Sequence, residues 1–264
     1  YHPELDQSDL LQGRDHTVYR CLVGMGIWMN ELGRIDVGQA IRLMSRFSHA
    51  PRKGHLEAME RIYMFVKLHM NSTLMFDGDK RDLAALGLED VAFDQVNQYP
   101  DAKDEIPEDM PEPLGASVQI IFFVDADHAT DLVTRRSTSS VIIFLNGAPV
   151  VWTSKKQGPV ETSTYGSEFV ALRIAVEMVQ ALRYKLRMLG VPLDGPAYGF
   201  CDNESVVTQS SIPSSVLKKK HNAIAYHKVR ECVAAGYIKI LKEPGETNLA
   251  DLLTSLLRCS HYFC

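Results

Sequence analysis

Apolar residues return with a helical period in the first part of the chain and in both strand-like and helical patterns in the last. Over 16–33 (HTVYRCLVGMGIWMNELG) they fall at Tyr19, Leu22, Met25 or Gly26 and Met29, a helical spacing that Gly33 is placed to stop. Asp36 is positioned as the N-cap of a second helix through Val37, Ile41, Leu43, Met44 and Phe47. Pro51 opens a third through Leu56, Met59, Ile62, Tyr63, Phe65, Val66 and Leu68. These three short helices predict a small bundle over 1–76. Between 77 and 116 the periodicity fades into acids and Pro100, Pro107, Pro111 and Pro113, which predicts an extended linker.

From 117 onward the pattern predicts strands at 117–125, 140–146 and 149–154, with Asn146-Gly147 as a hairpin turn between the last two. Ser163 or Thr164 caps a long helix to Leu189, closed by Gly190 and Pro192. A strand at 197–201, a helix from Asp202, a helix over 221–235, a strand at 237–241 and a last helix over 247–257 complete the series, leaving 258–264 as a tail. Three strands, a helix, a strand, helices, a strand and a helix predict an α/β unit over 117–257, a mixed sheet flanked by helices. No internal repeat is present.

The run Ile120–Asp127 carries the chemistry. Its five large apolar residues suit a strand covered on both faces, yet it drives Asp125 to the rim of that core. An ionised carboxylate there costs several kcal/mol, roughly, unless it is compensated. On the long helix the row Leu172, Val176, Val179, Leu182, Leu186 and Leu189 is predicted buried, while Arg173, Glu177, Gln180, Tyr184 and Arg187 face out. Glu168 lies on the buried row, four residues before Leu172. Asp202 follows a strand directly, and Asp251 stands between Leu249 and Leu252. Singly, each has an ordinary explanation: a first-turn acid for Glu168, a helix cap for Asp202 and a solvated side chain for Asp251. Together, four acids at element ends repel one another unless cations intervene. Hard oxygen donors without Cys or His select Mg²⁺, with Mn²⁺ as its substitute. Two such ions, roughly 3.5 to 4 Å apart, clamp the attacking water and the leaving oxygen of a phosphodiester.

A formal charge of -5 argues against nucleic acid only until its distribution is read. The excess sits between Asp101 and Pro113, where Asp101, Asp104, Glu105, Glu108, Asp109 and Glu112 face Lys103 alone. Elsewhere acids and bases balance, and Arg135, Arg136, Lys155 and Lys156, then Lys218, Lys219 and Lys220 with Lys228 and Arg230, form clusters suited to phosphate. Arg46, Arg52, Lys53, Arg61 and Lys67 are scattered over the first unit as solvated charge. Cys21, Cys201, Cys232, Cys259 and Cys264 form no C-x-x-C pair and read as reduced thiols of an intracellular protein. Cys259, His261 and Cys264 lack a fourth metal ligand and read as a frayed tail. The first residue is Tyr1 in a polar opening without a secretory signal, which suggests a piece of a longer protein, and no run has membrane-spanning length.

Several motifs resemble the ribonuclease H domain of copia-type retrotransposon Pol polyproteins. They are Asp125-Ala126-Asp127, Thr134-Arg135-Arg136-Ser137-Thr138-Ser139, Trp152-Thr153-Ser154-Lys155-Lys156-Gln157, Ser163-Thr164 through Glu168-Phe169, Cys201-Asp202-Asn203, Lys220-His221 and Leu249-Ala250-Asp251. The resemblance spans 120–257. Residues before 70, including Tyr19-Arg20-Cys21-Leu22-Val23-Gly24-Met25 and Ser45-Arg46-Phe47, look like the helical tail of the copia-type reverse transcriptase. The resemblance implies a ribonuclease H-like five-stranded sheet and a metal-dependent endonuclease that cuts the RNA strand of RNA–DNA hybrids. Asp125, Glu168, Asp202 and Asp251 fall on the family's acid positions, with His221 as an auxiliary to product release.

The implied partners are the hybrid and the rest of the Pol polyprotein, with no membrane, in a cytoplasmic retroelement particle or the nucleus. Tyr165-Gly166-Ser167 departs from the acidic-small pattern before the glutamate, Ser140 stands where glycine is common, and Ser255 where a lysine is usual. None of these removes an acid. The polymerase's Tyr-x-Asp-Asp motif is absent. Integrases carry their third acid as a late Glu, and three-prime exonucleases want a Tyr or His where Glu246 and Thr247 stand. The alternative of another class is a catalytically decayed, hybrid-binding or connection-like structural domain.

Overall fold

The apolar run Ile120–Val124 becomes the middle of a sheet. In the computed structural model, which describes residues 2–83, 99–104, 106–217 and 223–254, β1 (Ile120–Asp127) pairs antiparallel with β2 (Thr138–Leu145). β2 pairs in turn with β3 (Ala148–Lys156) across the Asn146-Gly147 turn, and Asn146 takes the positive φ of 54° that such a turn demands. On its other side β1 runs parallel to β4 (Ala197–Cys201), and β4 parallel to β5 (Ile238–Lys242), giving the order β3-β2-β1-β4-β5. All five residues of Ile120–Val124 are buried, as a strand covered on both faces requires.

One face is closed by α4 (Thr164–Met188), whose Phe169, Leu172, Ala175, Val176 and Val179 pack on Ile120, Phe122 and Val124. Gly199 of β4 makes room for the Phe122 ring, since a Cβ there would come within 2.3 Å of Cζ. The short helices α5 (Glu204–Ser211) and α6 (Ala223–Ala234) join the same core through Val206 and Val229. The opposite face holds Ile121, Phe123, Phe200 and Ala250. This mixed five-stranded sheet with flanking helices has the ribonuclease H-like topology.

Ahead of it, α1 (Gly13–Glu31), α2 (Gly38–Ser45) and α3 (Lys53–Leu68) enclose Tyr19, Val37, Ile41, Met44, Met59 and Ile62. To distinguish the helices here from their later counterparts, these three are called the helical unit. Two expected starts are corrected. Asp36 lies inside a 3-10 turn, Ile35–Val37, paired with Arg34 at 2.7 Å, and does not cap α2. Pro51 precedes the helix rather than opening it, because Arg52 is the N-cap of α3 and its amide donates to His55 Nδ1 at 3.1 Å.

Three further differences lie in the second unit. Asn203, not Asp202, caps α5, accepting from the amides of Ser205 and Val206. Leu189 is exposed, since α4 has ended before it. The expected last helix is replaced by two 3-10 turns, Gly245–Thr247 and Leu249–Leu253. The break comes at Asn248, whose side chain is tied to the Val124 carbonyl at 3.1 Å and so holds the chain to β1. Residues 255–257 of that expected helix, and the 258–264 tail with Cys259, His261 and Cys264, lie outside the described residues. Cys21, Cys201 and Cys232 are free thiols.

The described parts of 77–116, the stretch expected as an extended linker, lie against the second unit. Arg81 stacks over Phe200 at 4.9 Å, Leu83 is buried against the sheet, and Asp104 pairs with Arg183 at 2.9 Å and with Arg187. The helical unit is likewise joined to the sheet. Ile35, Ile142 and Leu253 form a buried cluster with Leu74, Phe144, Trp152 and Leu249 packed around it. Trp152 also donates its indole N–H to the Asn30 carbonyl at 3.0 Å. Ile35 is 2% exposed in that junction, so Ile35→Ala is expected to cost about 3 kcal/mol of unfolding free energy. Urea titration checks this, and a loss below about 0.5 kcal/mol would show that the cluster carries no shared stability.

Candidate metal centre

Parallel pairing sets the geometry of the site. Val124 is in register with Cys201, so the next residue on each chain, Asp125 and Asp202, leaves the sheet at the same end. Glu168 arrives as the fifth residue of α4, just past its first turn, and Ser163 caps that helix by accepting from the Gly166 amide at 3.2 Å. Asp251 arrives on the second 3-10 turn, which three polar bonds hold against β1 and β2. Asn248 Nδ2 donates to the Val124 carbonyl, Ser140 Oγ donates to the Ala250 carbonyl at 2.9 Å, and Thr254 Oγ1 donates to Asp125 Oδ2 at 2.5 Å. Ser140 thus fastens the segment that carries Asp251.

The four acids meet in two groups. Carboxylate oxygens of Asp125, Asp202 and Asp251 lie within 4.8 Å of one another, and ligand atoms of Glu168, Cys201 and Asp202 do the same. Asp202 belongs to both. Its Oδ1 is buried and has no hydrogen-bond partner among the described residues. A buried carboxylate oxygen in that condition costs free energy that a cation would recover.

Burial and mutual repulsion show in the protonation of the group. Burial raises the Asp125 carboxyl, Asp202 adds to the rise, and contacts with Thr254, the Ala126 amide and Asp251 oppose it. Burial, then the charges of Asp202 and Asp125, push Glu168 up to about 7 against hydrogen bonds from Asn203 and Cys201. Asp127 rises to about 6, through burial first and Asp125 second. The Cys201 thiol is pushed far up by burial and by Glu168, so it remains a thiol and donates to Glu168 Oε2 at 3.7 Å. That leaves an all-carboxylate donor set, which suits a hard divalent cation.

The expected cationic residues divide. Arg135 and Arg136 are exposed on the β1–β2 connection, Arg135 at a positive φ of 54°. Lys155 is exposed at the same end of the sheet as the acids, while Lys156 is held in an ion pair by Asp131, which also faces Arg46 at 3.7 Å. Lys218, Lys219, Lys220 and His221 lie outside the described residues. The sequence did not single out Thr254 or Asn248. The available signal was a polar residue on each side of Asp251 in an otherwise apolar segment. No helix among the described residues is long and apolar enough to cross a membrane.

No family model matches the chain. It is 26% identical over 243 residues to the retrovirus-related Pol polyprotein from transposon RE1 of Arabidopsis thaliana, covering 92% of this chain and 14% of that protein. It is 25% identical over 240 residues to the corresponding polyprotein from transposon TNT 1-94 of Nicotiana tabacum, covering 90% of this chain and 15% of that one. The chain therefore spans only a small part of the length of these curated relatives. Among solved structures, the LC11 ribonuclease H1 in complex with an RNA/DNA hybrid aligns with a TM-score of 0.42 at 22% identity, over 51% of this chain and 93% of that one.

A folded pKa near 7 against an ordinary 4.5 means that folded Glu168 keeps a proton which the unfolded chain releases. In the absence of metal, this contribution to stability is full below about pH 4.5 and is lost as pH rises through about 7, by at most about 3 kcal/mol. Urea midpoints measured in EDTA from pH 4.5 to 7.5 are expected to fall more steeply for wild type than for Glu168→Gln. Equal slopes would remove Glu168 as a buried, uncompensated acid.

Proposed function

We propose that this chain, a homologue of one segment of transposon Pol polyproteins, hydrolyses the RNA strand of RNA–DNA hybrids with divalent metal held by Asp125, Glu168, Asp202 and Asp251. The observation that carries this reading is Asp202, shared by two groups of acids and left with a buried, unpartnered oxygen. A residue so placed would hold a cation rather than cap a helix, and Asn203 already serves as the cap. When bound, Mg²⁺ would supply an activated water and stabilise charge on the leaving oxygen of the phosphodiester.

The chain's own residues supply position and exclusion. Thr254 orients the Asp125 carboxylate, and the Cys201 thiol and Asn203 orient Glu168. Phe169 and Leu172, completely buried behind Glu168, keep the inner side of the site free of water. Exposed Arg135, Arg136 and Lys155 stand where a phosphate backbone would approach, and such contacts give affinity without sequence preference. Specificity for the hybrid follows from reading of the 2′-hydroxyl and groove shape. Residues 1–76 would be the tail of a reverse transcriptase belonging to the same polyprotein, followed by the nuclease from 117.

Labelled hybrid, double-stranded RNA and double-stranded DNA, incubated with Mg²⁺ and matched amounts of wild type and Asp202→Asn, test the reading. Wild type is expected to cut the RNA of the hybrid and spare duplex DNA. Asp202→Asn keeps the Asn203 cap, so it is expected to fold normally and cut at background. Equal cleavage by both proteins would sink the mechanism. A folded wild type that binds hybrid and metal but cuts nothing would establish the non-cutting, connection-like alternative.

A further inference from the structure

The 3-10 turn that carries Asp251 is held from two sides. On one it is tied to β1 and β2, as described above. On the other it meets α2, which is 200 residues earlier in the chain by order of magnitude and belongs to the helical unit. Gln39 Nε2 donates to the Thr254 carbonyl across this junction. Thr254 in turn donates its hydroxyl to Asp125 Oδ2 at 2.5 Å and its amide to the Asp251 carbonyl at 3.2 Å. One residue therefore touches a side chain of the helical unit and two of the four acids.

A Cβ built on Gly38 would lie 2.2 Å from Asn30 Oδ1, so the glycine lets α2 close on α1, and it would make an ordinary 3.7 Å contact with Leu253 Cδ2 of the turn. Leu253 is fixed beneath it in the cluster with Ile35 and Ile142. Gln39 also lines a cavity of about 210 Å³ that reaches from Arg42 and Arg46 to Asp127 and Thr254. Its Oε1 is buried and has no hydrogen-bond partner among the described residues. The side chain's bond among them goes to the acid-bearing segment.

We propose that the helical unit is a working part of the metal centre, with Gln39 a positioning residue that holds Thr254, and through it Asp125 and Asp251, in the arrangement that binds a divalent cation. This rests on the reading that these acids hold metal. Groups one step removed from a metal ligand commonly alter affinity by about 10- to 100-fold through orientation alone. The helical unit would then govern how well the nuclease loads its cation, with no contact of its own to the ion.

The test uses the full chain with Gln39→Met, which keeps the length of the side chain and removes the N–H. Trp152→Phe is the comparison, because it removes the bond to Asn30 in the same junction and leaves the Gln39–Thr254 and Thr254–Asp125 bonds in place. Mg²⁺ affinity is measured by calorimetry, hybrid cleavage as a function of Mg²⁺ concentration, and melting temperature in EDTA. Gln39→Met is expected to weaken Mg²⁺ binding about tenfold, to recover its cleavage rate at high Mg²⁺, and to melt in EDTA no lower than Trp152→Phe. Trp152→Phe is expected to bind Mg²⁺ as wild type does. Unchanged Mg²⁺ affinity in Gln39→Met, or the same loss in both variants, would overturn the proposal while leaving the nuclease reading intact. A wild type that binds no Mg²⁺ would overturn both.

Discussion

Two neighbouring strands that run in the same direction and each deliver an aspartate at the same end create the constraint around which this molecule is built. Val124 and Cys201 are in register, and the acids that follow them are driven together at the edge of a dry core. Glu168 then adds to the repulsion, while Asp251 lies against Asp125 as a hydrogen-bond partner. Like charges at a few ångströms are tolerated only if some are protonated or a cation stands between them. The raised Glu168 carboxyl is the first of these solutions, and the Asp202 oxygen without a partner among the described residues suits the second.

The polar bonds around the site divide their work accordingly. Those of Ser140 and Asn248 hold backbone, setting where the second 3-10 turn lies. Those of Thr254, Asn203 and Cys201 hold carboxylates, opposing the rise that burial imposes. Both kinds are short-range devices, and both work only because the surrounding core is rigid. Phe122 packed over Gly199, and α4 laid along β1, leave the acid-bearing ends little room to move apart.

Much of this was legible in the sequence because it rests on local pattern. The β4 strand appears at 197–201 as read, and Glu168 is buried as its place in the row of Leu172 and Val176 implied. β1 extends to Asp127, two residues past the reading, because the ladder to β2 continues through Ala126 and Asp127 where apolarity has already stopped. What was not legible depends on partners far away along the chain. Asp104 looks like one acid among many until Arg183 and Arg187 are seen beside it. The last helix had a helical pattern, and Asn248 broke it by bonding to a strand that precedes it by more than a hundred residues, roughly. Ile35 and Leu253 were read as parts of separate units, and their shared burial cannot be found from either stretch alone.

The place of Asp251 in the order of the chain has a consequence for biosynthesis. A ribosome releases the helical bundle first, then the β1–β3 meander, α4 and the parallel strands, and only afterwards the turn with the fourth acid. Until that turn docks, the nascent sheet holds three of its acids with no partner for Asp125 from Thr254 or Asp251. The cluster is thus assembled by the late closure of a long loop, which is entropically slow. The cluster of acids stays chemically incomplete until that turn settles on the surface which the helical unit, made earlier, holds ready for it.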